Sequence, residues 1–178
     1  MSPTRGTNMQ VLETDRLALR HFSIEDAEFV LQLLNEPSFI QYIGDKGVRT
    51  VDDAKRYLLS GPLDSYVSFG YGLYVVELKD AGKPVGMCGL VRRDNLDDAD
   101  IGYAFLEPYR SKGYALESAE AIMIHARETL GLERVVAIVT PGNSSSIKLL
   151  EKIGLTFERM IRLTDDDEEL KFFVSDTK

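Results

Sequence analysis

The chain has one cysteine, Cys88, in 178 residues, so it can form no internal disulfide and no cysteine-based metal cluster. Its two histidines, His21 and His125, are too few to make a zinc set a reasonable expectation, and no metal is expected. No apolar run is long enough to span a bilayer, so no membrane partner is expected. Basic residues are outnumbered, and a net charge of −8 argues against nucleic acid, whose phosphates demand an excess of Lys and Arg. The same acidity suits a cationic acceptor such as an amine. The opening "MSPTRGTN" lacks the apolar segment of a secretory signal. Residues 1–8 therefore read as a flexible lead into a cytoplasmic protein. The sequence holds neither G-x-x-x-x-G-K-[ST] nor a G-x-G-x-x-G opening a helix, which removes two familiar phosphate-binding loops.

No repeat and no linker-like tract divides the rest, and residues 9–178 read as one domain. "MQVLETDRLALRHF" alternates around Leu17 and Leu19 as a first strand. Ser23 and Asp26 have capping-box spacing before a helix with an apolar stripe, and Thr50 and Asp53 repeat it before "AKRYLL". Between them, residues 35–49 read as a long loop broken by Pro37, Gly44 and Gly47. From residue 66 the period turns to that of strands, with "YVSFGYGLYVVELKD" and "KPVGMCGLVRRDN" joined by the turn "DAGK". "DADIGYAFL" is a further strand, followed by a long amphipathic helix. "ERVVAIVT" is a strand apolar throughout, as one buried on both faces should be. "NSSSIKLLEKIG" is a capped helix ended by Gly154, and "LTFERMIRL" and "ELKFFVS" close the chain as a strand pair. The expectation is an α+β fold with a mixed, mostly antiparallel sheet of about seven strands and about four helices.

The most informative stretch is "LEPYRSKGYALESAEAIMIHARETLG", residues 106–131. It sets Arg110, Lys112, Gly113 and Ala115 at the mouth of a helix. A helix N-terminus exposes unpaired N–H groups and carries about +0.5 of an elementary charge, so it favours anions. Gly113 can bring its backbone against a ligand without a side chain in the way. A capped helix after a Pro-containing turn explains the same residues without a ligand. Asn143 and Ser146 raise a similar pair of readings, as a helix cap and a hydroxyl on its own helix or as ligand contacts.

These stretches together resemble the GNAT superfamily of acyl-CoA-dependent N-acetyltransferases. Its central signature, Arg/Gln-x-x-Gly-x-Gly/Ala, matches Arg110, Gly113 and Ala115, between the "IGYAFL" strand and a long helix. "NSSSIKLLEKIGLTFE" is similar to the second signature, with Asn143, Ser146, Lys152 and Gly154 in place. "LETDRLALRHF" is similar to the first strand of the branch that includes ribosomal-protein N-terminal acetyltransferases. The resemblance covers about residues 9–175. It implies a sheet splayed at one parallel pair, acetyl-CoA as donor without a metal, and direct attack of an amine within a ternary complex. The acceptor would be a small-molecule amine or a protein N-terminus, and the protein a monomer or homodimer. Phe105 and Leu106 would pair with the pantetheine arm. The amides of Arg110, Ser111, Lys112, Gly113, Tyr114 and Ala115 would hold the diphosphate, and Asn143 and Ser146 would contact the arm from the opposite side. Asp100 is the candidate base, with a solvated strand-edge acid as the alternative, and Ser146 the candidate acid. The helix after the second signature has no tyrosine, which other members use as acid, and a catalytically silent acyl-CoA-binding sensor is therefore the alternative function. Cys88, in an alternating strand with no histidine near it in sequence, reads as a buried small side chain.

Overall fold

A computed structural model describes residues 9–176, so the lead read over residues 1–8 lies outside the described residues. Eight strands form one sheet in the order β1-β2-β3-β4-β5-β6-β8-β7. β1 (Gln10–Glu13), β2 (Leu17–Arg20), β3 (Leu73–Leu78), β4 (Lys83–Val91) and β5 (Ala99–Phe105) run as an antiparallel meander. β6 (Val135–Val139) lies parallel to β5, and β7 (Leu155–Ile161) and β8 (Leu170–Ser175) complete the sheet antiparallel. The α+β class and the single parallel pair are as expected, with eight strands in place of about seven.

Six α-helices among the described residues cover both faces. α1 (Ala27–Leu34), α2 (Pro37–Tyr42), α3 (Val51–Ser60) and α4 (Pro62–Phe69) enclose one core with Val75, Met87 and Leu106. α5 (Tyr114–Glu128) and α6 (Ser144–Lys152) enclose the other with Tyr74, Cys88, Ile101 and Phe105. Alternate residues of a strand face opposite sides, so Asp100 shares the α1–α4 face with Ala104 and Leu106. Tyr103 lies with Ile101 and Phe105 on the α5–α6 face.

Three local expectations are corrected. Residues 10–20 are a hairpin and not one strand, because the Thr14 hydroxyl accepts the Leu17 amide at 3.1 Å and closes a turn. Residues 35–49 contain α2, since Pro37 stands at the first helical turn, where a missing N–H is harmless. Residues 62–69 form α4, ended by Gly70 at φ 78°, and the strand begins only at Leu73. The second capping box is present, with the Asp53 amide on the Thr50 hydroxyl at 3.0 Å, and Gly154 follows α6 at φ 96°.

Two further features fix the frame. Gly86 of β4 pairs with Phe105, and a Cβ there would stand 2.5 Å from the Phe105 ring. Arg20 ties β2 to β3 and to the start of α1, bonding both Asp26 oxygens at 2.9 Å and Glu77 at 2.5 Å. Burial opposes the guanidinium's charge, yet its two carboxylates outweigh that and raise its pKa above the ordinary value. Removing one member of such a cluster strands the others without partners, at a cost of about 3–5 kcal/mol. Arg20→Met should lower unfolding stability by about 3 kcal/mol in urea titration, with Asp26 and Glu77 left unpaired.

Candidate active site

The parallel ladder between β5 and β6 is short. Ala99 pairs with Val135 and Asp100 with Val136, and beyond them no register is formed. β5 stays with β4 as far as Phe105, while β6 stays with β8, so a gap opens between the two C-terminal halves. The Leu106 amide donates to the Val85 carbonyl at 2.9 Å. Backbone groups alternate along an antiparallel pair, so Phe105 turns its N–H and C=O into the gap while Leu106 is committed to β4.

At the outer end of the gap the chain makes a tight turn into α5. Ser111 (φ 60°) and Gly113 (φ 85°) both take left-handed backbone, and Gly113 is the N-cap residue with no capping side chain. The amides of Gly113, Tyr114 and Ala115 have no acceptor among the described residues. Successive free amides in such a turn converge on an anion, and the helix end adds to their field. Lys112 is exposed on the rim. Arg110 is placed differently from expectation, because its side chain folds back. Its Nε donates to the Phe105 carbonyl at 2.9 Å, and Nη2 reaches Glu36 at 3.5 Å. Glu36 also accepts the Glu107 amide at 3.3 Å. Arg110 therefore braces the turn against the start of α2.

A residue that the sequence reading missed holds the other side. Arg16, in the β1–β2 turn, donates to the Lys112 carbonyl at 3.0 Å and pairs with Glu117 at 2.8 Å. Its guanidinium lies 4.5 Å from the centre of the Tyr114 ring. Glu117 also accepts the Thr14 hydroxyl at 2.5 Å and the Arg16 amide at 3.1 Å. These donors hold Glu117 below its ordinary pKa although burial works the other way. An open groove of about 840 Å³ beside this clamp is lined by Val11, Arg16, Gly113, Glu117, Glu120 and Ile124. No sequence signal beyond the acid in the first helical turn marks the pair, since the two sit 101 residues apart.

At the inner end stands Asp100, the last residue of the parallel ladder. It is 3% exposed, unlike its neighbours Asp97 and Asp98, so the strand-edge alternative fails. Oδ2 accepts from Arg93 Nε at 2.8 Å, and Oδ1 is buried without a hydrogen bond. Burial pushes its pKa up to about 6 against the opposing pull of Arg93. A carboxyl poised there can exchange a proton near neutral pH. Across the sheet, Ser146 gives its amide to the Asn143 side chain at 3.3 Å, so Asn143 caps α6. The Ser146 side chain lies against the Tyr103 hydroxyl, which is buried, forms no well-aligned hydrogen bond and has its pKa pushed up to about 12 by burial. Tyr103, two residues before Phe105, was open to discovery from strand alternation alone.

Side chains away from the gap lie in the core or face solvent. Cys88 is fully buried, and burial pushes its thiol up to about 12, so no thiolate is available near neutral pH. Tyr74 is buried in the core and His125 packs edge-on against it. Residues 165–169 are exposed. No group of three His, Cys, Asp or Glu side chains suited to a metal occurs among the described residues. Glu117→Ala should cost about 1–2 kcal/mol in urea unfolding, because Arg16 and Thr14 lose their shared acceptor at a partly exposed site.

The chain matches the "Acetyltransferase (GNAT) domain" family model over residues 16–156. It is 29% identical over 147 residues to the uncharacterized N-acetyltransferase YnaD of Bacillus subtilis (strain 168), covering 83% of each chain. The crystal structure of an acetyltransferase from Agrobacterium tumefaciens str. C58 superposes with a TM-score of 0.77 at 26% identity, covering 92% of both chains. The fold is shared with a ribosomal-protein-S5-alanine acetyltransferase from Vibrio fischeri, at a TM-score of 0.78 and 17% identity, covering 96% of this chain and 97% of that one. With most of its length inside the family model and its sheet parted at one parallel pair, the chain belongs to the acetyltransferase (GNAT) domain family.

Proposed function

We propose that the protein transfers an acetyl group from acetyl-CoA to a primary amine, of a small molecule or a protein N-terminus, by direct attack in a ternary complex. The observation that carries this reading is a gap with free amides at one end and a buried, half-paired carboxyl at the other. The gap fits a coenzyme arm because Phe105 offers it a backbone N–H, its carbonyl already accepting from Arg110, and the Gly113 turn fits a diphosphate because its amides are free. Ser111, Lys112, Gly113, Tyr114 and Ala115 would hold the diphosphate, with Arg110 bracing their turn. Phe105 would pair with the arm, Leu106 would keep that edge on β4, and Asn143 and Ser146 would line the α6 side. The acetyltransferase domain, on this reading, is the single cytoplasmic unit of residues 9–178.

Acetyl-CoA, when bound, supplies the thioester carbonyl that the amine attacks. A carbon–nitrogen bond forms as the carbon–sulfur bond breaks. The ammonium gives up two protons in all, one to the departing sulfur and one to solvent. Asp100 takes the proton that frees the amine lone pair. The work depends on the acceptor: at pH 7 an amine of pKa 10.4 needs about 4.6 kcal/mol to be neutral, and one of pKa near 8 needs about 1.4 kcal/mol. The Ser146–Tyr103 hydroxyl pair, on the opposite face of the sheet, would return a proton to sulfur. A silent acyl-CoA-binding sensor is the competing reading, supported by the depth at which Asp100 is buried behind Arg93.

Calorimetric titration with acetyl-CoA tests the cradle. Gly113→Glu should abolish binding, since a side chain at φ 85° is strained and brings a negative charge into the turn. Arg110→Ala should weaken binding about tenfold through loss of the brace. Undiminished binding in both variants would overturn the reading.

The pH profile tests the base. Asp100 works deprotonated, so kcat/KM should fall as pH drops through about 6, and Asp100→Asn should remove that limb along with most activity. Arg93→Gln removes a cation that favours the charged carboxylate, so the limb should move to higher pH. An unmoved limb would show that another group titrates.

A further inference from the structure

The inner end of the gap carries more polar groups than proton transfer uses. Arg93, just beyond β4, meets Asp100 through Nε alone. Its two terminal nitrogens have no hydrogen bond or ion pair among the described residues, and 32% of the side chain is exposed. Asp100 Oδ1, on the same ion pair, forms no well-aligned hydrogen bond, although the Ile138 amide also favours the charged carboxylate. Lys46, on the segment between α2 and α3, also has no ion pair among the described residues. It is exposed, and desolvation together with the charge of Arg93 lowers its pKa. Tyr57 of α3 lies within the field of the same guanidinium. The other carboxylates of this segment are engaged, Asp45 by Arg49 and Asp53 by Arg56, each at 2.5 Å. A chain of net charge −8 thus sets a half-used cation, Arg93, on one buried carboxyl, and Lys46 feels the charge of the same guanidinium.

Free donors and a free acceptor on one ion pair define a complementary ligand. Its ammonium would donate to Asp100 Oδ1, and its carboxylate would accept from the planar Arg93 fork in a bidentate pair. We infer that the acceptor is a small amino-carboxylate of the α-amino-acid type, with the Arg93 fork as its carboxylate subsite. This rests on the acetyl-transfer reading for the role of the amine. A polyamine or aminoglycoside would bring only like charge to Arg93 and Lys46. A peptide N-terminus would offer a neutral amide where the fork calls for an anion.

The test is a matched panel: several amino acids, their carboxamides and their decarboxylated amines, with spermidine and a peptide N-terminus alongside. Thiol release measures turnover, and calorimetry on the protein saturated with CoA measures binding. Amino acids should exceed their carboxamides by about tenfold or more in both readouts. Arg93→Met should bring that ratio close to one. Arg93→Lys, which keeps the charge and loses the fork, should give an intermediate ratio and guards against a folding defect. Carboxamides or polyamines serving as well as amino acids would overturn the inference, as would a ratio indifferent to Arg93. Absence of turnover throughout the panel, with carboxylate-dependent binding intact, would sink the transfer reading and leave the subsite standing.

Discussion

The structure hangs on a parallel ladder two residues long. β5 and β6 meet at Ala99–Asp100 and Val135–Val136, and each then follows its antiparallel partner, β4 on one side and β8 on the other. Neighbouring strands are rotated against each other by the sheet's twist, so two strands held by different outer partners separate once their own ladder ends. Buried backbone groups without partners are costly. The parted strands therefore leave peptide groups such as the Phe105 N–H without a ladder partner from the neighbouring strand.

The charges follow the same geometry. At the outer end the helix start and its free amides are positive in character, and Glu117 in the first turn would weaken that field if it stood alone. Arg16 cancels it and in the same contact holds the Lys112 carbonyl, so the turn keeps both its shape and its sign. At the inner end, Arg93 keeps Asp100 from being simply a neutral buried acid. The overall charge of the chain describes neither end. Its acidity suggested a cationic acceptor, whereas the cation paired with Asp100 keeps two nitrogens without partners among the described residues.

Much of this was legible in the sequence because it is local. Gly113 and Ala115 announce the helix mouth, Thr50 and Asp53 announce a capped helix, and the apolar run "VVAIV" announces a strand covered on both faces. The class of fold followed from the order of such signals, and the place of the parting from the family resemblance. What could not be read depends on partners far apart in the chain. Arg16 meets Glu117 across 101 residues, and Arg110 turns away from the rim because Glu36 and the Phe105 carbonyl lie within its reach. Asp100 could be named but not weighed, since its sequence neighbours Asp97 and Asp98 are more exposed and only the folded sheet sets it apart. The short helices α2 and α4 were hidden by Pro37 and Pro62, which read as breakers and act as first-turn residues.

Gly86 faces Phe105 across the β4–β5 ladder and leaves no room for even one carbon beyond its backbone. The attitude of the Phe105 peptide, which borders the gap, is thus inherited from a residue that never reaches it. A single methyl group on the neighbouring strand would tilt that peptide and deform the gap from behind, with every side chain of the cleft still in place.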